Sequence, residues 1–222
     1  MNSNKSLIKY PYLIHTIKPK IFKINWVLLF IMFIEKTAIV SKDVKIGRNT
    51  KVWHLAQIRE HAEIGDNCII GKNCYIDHHV KIGNNVKIQN NSSIYYMALI
   101  EDRAFIGPHA VITNDKSPRA IDKKGNLKTE KEWKAEKTTI KEGASIGAGS
   151  ILLPGITIGR YSMTGAGSIV TKDVRDYTLV YGNPAKFMGY VCKCGKKIVK
   201  VEEKSGKIIL KCPACKEIII TK

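Results

Sequence analysis

Negative charge is scarce in this chain. Nineteen Asp and Glu stand against 37 Lys and Arg, a formal net charge of +18 over 222 residues. Such a balance suits anionic partners, whether nucleic acid, a membrane surface or phosphate-rich metabolites, although lysine spread over a solvated surface accounts for it equally well. Aromatic residues are few, 8% of the chain. They do not interleave with the basic ones in an RNA- or single-strand-binding pattern, which demotes nucleic acid as a partner. The apolar run from Trp26 to Ile34 falls well short of the roughly 20 residues that span a bilayer, so no membrane span is expected. No small-residue cleavage site follows that run, which argues against a signal peptide.

What the chain has in abundance is rhythm. From Val40 an aliphatic residue returns at every sixth position through Ile46, Val52, Ile58, Ile64, Ile70 and on to Ile112, and the beat resumes at Ile140, Ile146, Leu152, Ile158, Thr164 and Val170. Thr164 is the one polar member. Two positions before each anchor sits, in most hexads, a small or β-branched residue such as Ala56, Ala62, Cys68, Cys74, Val80 or Val86. A helix would scatter a six-residue period over all its faces, whereas a strand keeps positions i and i−2 on one side. The repeat therefore predicts short strands separated by corners.

The corner residues support this. Glycine follows the anchor at Gly47, Gly65, Gly71, Gly83, Gly107, Gly147, Gly159 and Gly165. Three positions after the anchor come Asp43, Asn49, His61, Asn67, Asn73, His79, Asn85, Asn91 and His109, types that tolerate the left-handed backbone region. Sides and corners of this kind wind into a β-solenoid whose anchors share one interior.

One long interruption breaks the register. Ile112 and Ile140 are 28 positions apart where the repeat uses 6, leaving 22 surplus residues, rich in charge and turn formers, with Trp133 as their one large apolar anchor. Long loops in compact folds are usually functional or disordered. The expected organisation is an N-terminal extension over 1–31, weakly structured or upstream of the true start at Met32; a solenoid over 32–190 with its excursion at 113–139; and a cysteine tail over 191–222.

The hexad with its trailing glycine resembles the hexapeptide-repeat acyltransferases. The segments "VWHLAQIREHAEIGDNCIIGKNCYID", "VKIGNNVKIQNN", "IEDRAFIGP", "TNDKSPRA" and "GNPAKFMGYVCKCG" resemble, more closely, the group that N-acetylates UDP-2-acetamido-3-amino-2,3-dideoxy-glucuronate for surface polysaccharides. The resemblance runs over roughly residues 32 to 195. It implies an all-β, left-handed parallel β-helix of triangular section with three hexads per coil. It further implies a cytoplasmic homotrimer with its active sites between subunits, acetyl-CoA as co-substrate and a UDP-amino-sugar as acceptor.

Carried over residue by residue, the resemblance puts Asn114 of the "TND" motif at the attacking amine, with Asp115 available for the released proton. It assigns the pantetheine arm to small corners that include Ala148, Gly165 and Ala166, and the coenzyme's phosphates to Lys172 and Lys186. Three hexads per coil stack residues eighteen apart, so Glu60, His78, Tyr96 and Asn114 should form one polar column, with His78 and Tyr96 as substrate contacts. Gln89, Asn90 and Asn91 fit either the UDP-sugar or a corner ladder, and Arg119 either an anionic substrate group or solvent. His61, His79 and His109 have a sufficient conformational reason at their corners. No histidine stands in the stretch Thr113 to Lys116, where O-acetylating relatives keep a base. An amine, once neutral, attacks a thioester without the base that an alcohol needs, so this favours N- over O-acetylation. Two alternatives remain: an O-acetyltransferase of the same fold acting on another sugar or serine, and a non-enzymatic scaffold or carbonic-anhydrase-like relative, the last of which needs histidines converging on a metal.

Of six cysteines, Cys68 and Cys74 fall at the small inward position and read as core thiols. Cys192, Cys194, Cys212 and Cys215 come as two close pairs eighteen residues apart, the pattern of a structural zinc ribbon. The one-residue gap between Cys192 and Cys194 departs from the usual two and leaves disulfides as a competing reading, which a cytosolic setting disfavours.

Overall fold

The computed structural model describes residues 33–129, 132–204 and 206–221, so the expected N-terminal extension lies outside the described residues. The named elements among the described residues are strands. Twenty two-residue strands, β1 (Phe33–Ile34) to β20 (Ile169–Val170), end on the successive anchors of the hexad. They form three parallel sheets, begun by Phe33–Ile34, Ile39–Val40 and Lys45–Ile46, and each sheet takes every third strand. Partners lie eighteen residues apart, as in Phe33 with Lys51, Gln57 with Tyr75 and Glu63 with Lys81. Three sides and three corners thus make one coil.

The interior follows from the pattern. Ile58, Ile70, Ile76, Ile88, Ile94, Ile100, Ile106 and Ile146 are fully buried, and Ala56, Ala62, Cys68, Val80 and Val86 fill the space beside them. Each such isoleucine contributes about 1.5–3 kcal/mol of burial, so the column of anchors holds the prism together. Cys68 and Cys74 are free thiols pushed up by burial, and they reach the carbonyls of Gly83 and Gln89 at 3.1 and 3.0 Å. Thr164 is buried among the aliphatic anchors because its hydroxyl has a partner, accepting the Gly147 N–H at 2.9 Å.

Eight of the nine residues expected in the left-handed region are there, from Asn49 at φ 58° to His109 at 60°; Asp43 is not. Leu55, Met97, Arg103 and Tyr161 occupy it as well, although nothing in their chemistry favours it. At Arg103 the ladder bond from its N–H to the Asn84 carbonyl, 2.8 Å, fixes the corner regardless of residue type. The glycine after the anchor serves a different need. A Cβ on Gly147 would lie 2.5 Å from the backbone of Gly165 and 2.6 Å from that of Ala166, so close coil stacking excludes any side chain.

The excursion leaves the prism without disturbing its register. Leu99 pairs Thr139 and Val111 pairs Ile151, forty positions on, which is one coil of eighteen plus the 22 surplus residues. Past the last coil the parallel ladder turns antiparallel through β21 (Thr178–Gly182), β22 (Ala185–Val191), β23 (Lys197–Lys204), β24 (Lys207–Lys211) and β25 (Ile218–Thr221). These strands continue the first sheet. Their apolar cluster, with Ile198, Ile208, Leu210 and Ile219, is separate from the solenoid core.

Candidate active site

The corners between the second and third sheets carry a column of polar residues, and the excursion starts from this edge at Thr113, directly after Val111–Ile112 of the second sheet. His78 and Tyr96, eighteen apart, stack face to face with ring centroids at 4.3 Å and planes 8° apart. Trp133 returns from the excursion to lie 5.9 Å from Tyr96. Together with Arg59, Glu60, His79 and Lys134 they line a groove of about 580 Å³. A neighbouring hollow under the excursion shares Trp133 and Lys134 with it and includes Asp115.

Asp77 organises this groove. It is 6% exposed. Its Oδ1 accepts the Nδ1–H of His78 at 2.8 Å, the backbone N–H of His78 at 2.8 Å, the Tyr75 hydroxyl at 3.0 Å and Nη1 of Arg59 at 3.0 Å, while Oδ2 accepts the Tyr96 N–H at 3.1 Å. Burial alone would push its carboxyl up; the hydrogen bonds from His78, Tyr96 and Tyr75 outweigh that and hold it below the usual carboxylate range. A carboxylate can only accept, so Nδ1 of the His78 ring is the donor in this contact.

The expected site residues separate into groups. His78 and Tyr96 share the groove with Glu60, as the eighteen-residue arithmetic requires. Asn114 stands at the mouth of the excursion, half-buried, with its carbonyl accepting the Glu136 N–H at 2.8 Å. Asp115 spends Oδ1 on the Ser117 N–H at 2.7 Å, shaping the loop. Arg119 is exposed and donates to the neighbouring Pro118 carbonyl.

Gln89, Asn90 and Asn91 lie at a different edge, between the first and second sheets, which they share with Ala148, Gly165 and Ala166. There Asn90 Oδ1 accepts the Lys72 N–H at 2.9 Å, and Asn91 bridges Asn73 and His109, so the ladder reading describes both asparagines in this single chain. Lys172 and Lys186 are exposed near the C-terminal end of the solenoid.

Sequence reading missed Asp77 and Arg59. The signal was present: opposite charges eighteen apart, at the position where other corners carry glycine.

The tail brings its four thiols together, with all sulfurs within 4.8 Å of one another. Cys192 and Cys215 Sγ lie 3.4 Å apart, Cys194 and Cys212 Sγ 3.7 Å, and none is in a disulfide. Four thiolates around tetrahedral zinc at about 2.3 Å place sulfurs about 3.8 Å apart, so the donor set fits. The short Cys192–Cys194 gap is accommodated because Gly195, at φ 80°, turns its N–H back to the Cys192 carbonyl at 2.8 Å. Burial pushes the Cys192 thiol up, whereas the Cys215 backbone N–H brings Cys212 down to about 6. The histidines make no comparable cluster among the described residues.

Among the described residues, no helix is long and apolar enough to cross a membrane. The bacterial transferase hexapeptide family, defined by six repeats, matches residues 43–78, 61–96, 79–114 and 137–172. The chain is 51% identical over 69 residues to a dTDP-3-amino-3,6-dideoxy-alpha-D-galactopyranose 3-N-acetyltransferase of Aneurinibacillus thermoaerophilus, covering 31% of this chain and 36% of that one. It is 34% identical over 95 residues to a galactoside O-acetyltransferase of Lactococcus lactis, covering 40% and 45%. The chain thus spans less than half the length of these curated relatives. Among solved structures it is similar to PerB from Caulobacter crescentus in complex with CoA and GDP-perosamine, with a TM-score of 0.45 and 25% identity over 72% of this chain and 58% of that one. The hexads on either side of the excursion and the three-sided coil place residues 43–114 and 137–172 in the bacterial transferase hexapeptide-repeat family.

Proposed function

We propose that the protein is an acetyl-CoA-dependent N-acetyltransferase acting on a nucleotide-linked amino sugar, and within that class on the 3-amino group of a UDP-linked 2-acetamido-3-amino uronate for glycan biosynthesis. The observation that carries this reading is the groove in which the excursion leaves the prism beside the His78–Tyr96 stack and comes back with Trp133 over it. Flat aromatic faces suit a sugar ring or a base, and the chain's excess of cations suits the diphosphate and the coenzyme's phosphates. The 51% identity to an amino-sugar 3-N-acetyltransferase supports the chemistry at the acceptor end.

In the mechanism, the neutral amine adds to the thioester carbonyl, its surplus proton passes to Asp115 or to solvent, and the C–S bond breaks so that the coenzyme leaves as its thiolate, with no acyl-enzyme. Asn114 orients the amine, and holding the two substrates in line supplies most of the acceleration. Backbone N–H groups at the Ala148, Gly165 and Ala166 corners stabilise the oxyanion. Lys172 and Lys186 meet the coenzyme's phosphates as compact point charges.

These corners lie on one edge and the groove on another, so a single chain does not bring donor and acceptor together. A second copy, in a trimer, sets its own edge of Gln89, Asn90, Asn91 and Ala148 against the groove. The tail holds one structural zinc on Cys192, Cys194, Cys212 and Cys215, consistent with reduced thiols in the cytoplasm. Four thiolates leave no open position for catalysis.

The test is coenzyme thiol release with acetyl-CoA against UDP-3-amino, UDP-4-amino and dTDP-3-amino sugars and their 3-hydroxy counterparts. Turnover is expected with the 3-amino uronate above all. Preference for a hydroxy sugar would shift the reading to O-acetylation, and silence with every acceptor would remove it.

A further inference from the structure

We propose that the groove between the end of the prism and the cysteine tail binds a nucleoside diphosphate; the proposal does not depend on the acetyl-transfer reading. The groove holds about 840 Å³, within the range of small-molecule sites, which favour junctions between packed units. Lys141 and Arg160 line it from corners between the third and first sheets, Arg175 from the segment after β20, and Lys207 from β24. The Ala148–Ala166 corners lie between the first and second sheets, and the His78–Tyr96 stack between the second and third. This is therefore the third edge of the prism, which the trimer proposed above leaves uncovered.

The two carboxylates of the groove serve the backbone, whereas its four cations have no partner. Along the third sheet the Thr139 and Lys141 N–H groups reach carbonyls seventeen residues on, at Ile156 and Ile158. The next rung slips: the Gly159 N–H reaches Val174, fifteen on, and Ile158 bridges Val174 at sixteen where the regular coil uses eighteen. The slip moves the ladder carbonyl away from the Thr157 N–H, and Asp173 Oδ1 accepts that N–H at 2.7 Å. Asp176 Oδ1 likewise accepts the Arg160 N–H at 2.7 Å. Backbone donors need partners, which accounts for both acids. Among the described residues, no side chain of Lys141, Arg160, Arg175 or Lys207 is in a salt bridge or hydrogen bond. Glu203, the carboxylate that Arg175 influences, is ion-paired with Lys200 and does not line the groove. Cations gathered around one hollow repel one another until an anion joins them.

Two guanidiniums and two ammoniums suit a diphosphate: the Arg fork meets phosphate oxygens bidentately, and Lys supplies a compact point charge. Beside them lie Tyr177, its ring stacked on Tyr161 with centroids 5.7 Å apart, and Ile220, 62% exposed. They give the groove an apolar, aromatic flank for a base. Sugar nucleotides and coenzyme A both carry a nucleoside diphosphate unit, and the groove offers the same chemistry to either.

The experiment follows amide exchange of the full-length wild type with UDP, coenzyme A or inorganic pyrophosphate added. One nucleotide or both should protect 173–177 and 207–221, and the one that binds tighter identifies the source. Its Kd should lie about tenfold below that of pyrophosphate, because contact with the base adds to the phosphates. Arg160→Gln combined with Arg175→Gln should raise the Kd read from this protection about tenfold or more, as charge-assisted hydrogen bonds are lost. Asp173→Asn keeps an oxygen for the Thr157 N–H while removing a negative charge, so it should tighten binding roughly two- to tenfold. No protection of these segments by either nucleotide, pyrophosphate binding as tightly as both, or a folded double variant that binds undiminished would overturn the proposal.

Discussion

Trp133→Ala separates the groove from the scaffold beneath it. Trp133 is half-buried and reaches the solenoid through its ring contact with Tyr96, 5.9 Å between centroids at 36°. An aromatic pair is worth about 0.5–1.5 kcal/mol beyond its area, and half-burying a large side chain contributes roughly 1 kcal/mol more. Together they come to about 2 kcal/mol, which at about 1.4 kcal/mol per factor of ten is roughly a 30-fold change in the loop's docking equilibrium. Further ties near Trp133 are the Glu136 N–H to the Asn114 carbonyl at 2.8 Å and the exposed Lys116–Glu136 ion pair. The latter is worth under about 1 kcal/mol. The acceptor KM should therefore rise by about an order of magnitude, and amide exchange should quicken across 114–138. The melting temperature should hold, since none of the buried anchors is touched. A drop in melting temperature as large as that of Ile94→Ala, expected to lose about 2–5 kcal/mol from a fully buried site, would show that Trp133 belongs to the core. An unaltered KM would show that the loop does not serve the groove.

Three other outcomes follow from the same structure. Gly147→Ala drives a Cβ to 2.5 Å from the backbone of the next coil, an overpacking cost of about 1–3 kcal/mol; chemical denaturation should show it, together with a raised KM for acetyl-CoA but not for the sugar. Chelation, or Cys212→Ser, should release one zinc per chain by mass spectrometry and melt the tail in a separate, lower transition, because its apolar cluster is separate from the solenoid core. The Asp77 carboxyl is held below its unfolded value of about 3.9, so its contribution to stability is full above that pH and is lost as pH falls through the lower folded value. Acid denaturation below about pH 4 should be less steep in Asp77→Asn.

The solenoid was legible because a period of six has one meaning for a strand and none for a helix, and because the anchors Ile58 to Ile112 and Ile140 to Ile158 keep it on either side of the excursion. The excursion's length could be read to the residue, since the register on either side is strict. The Glu60–His78–Tyr96 column followed from counting eighteens. What the count could not supply was the lateral contact: that Asp77, one position before His78, turns inward to hold the ring, or that Trp133 crosses a long loop to reach Tyr96. Left-handed corners at Leu55, Met97 and Arg103 were invisible because residue preference does not mark them; at Arg103 a hydrogen bond to the Asn84 carbonyl of the neighbouring coil holds the conformation. Cys192 and Cys194 looked too close in sequence because the turn that Gly195 makes is a backbone property. The distance between the groove and the Ala148–Ala166 edge follows from which sheets each corner joins, which the spacing alone does not label.

The most direct measurement is paired quantification of free coenzyme thiol and acetylated sugar nucleotide by mass spectrometry, with a UDP-linked 2-acetamido-3-amino uronate as acceptor. Equal amounts of the two products, with the new acetyl group on the 3-amino nitrogen, are the expected result. Thiol without acetylated sugar, or an acetyl group on oxygen, would contradict it.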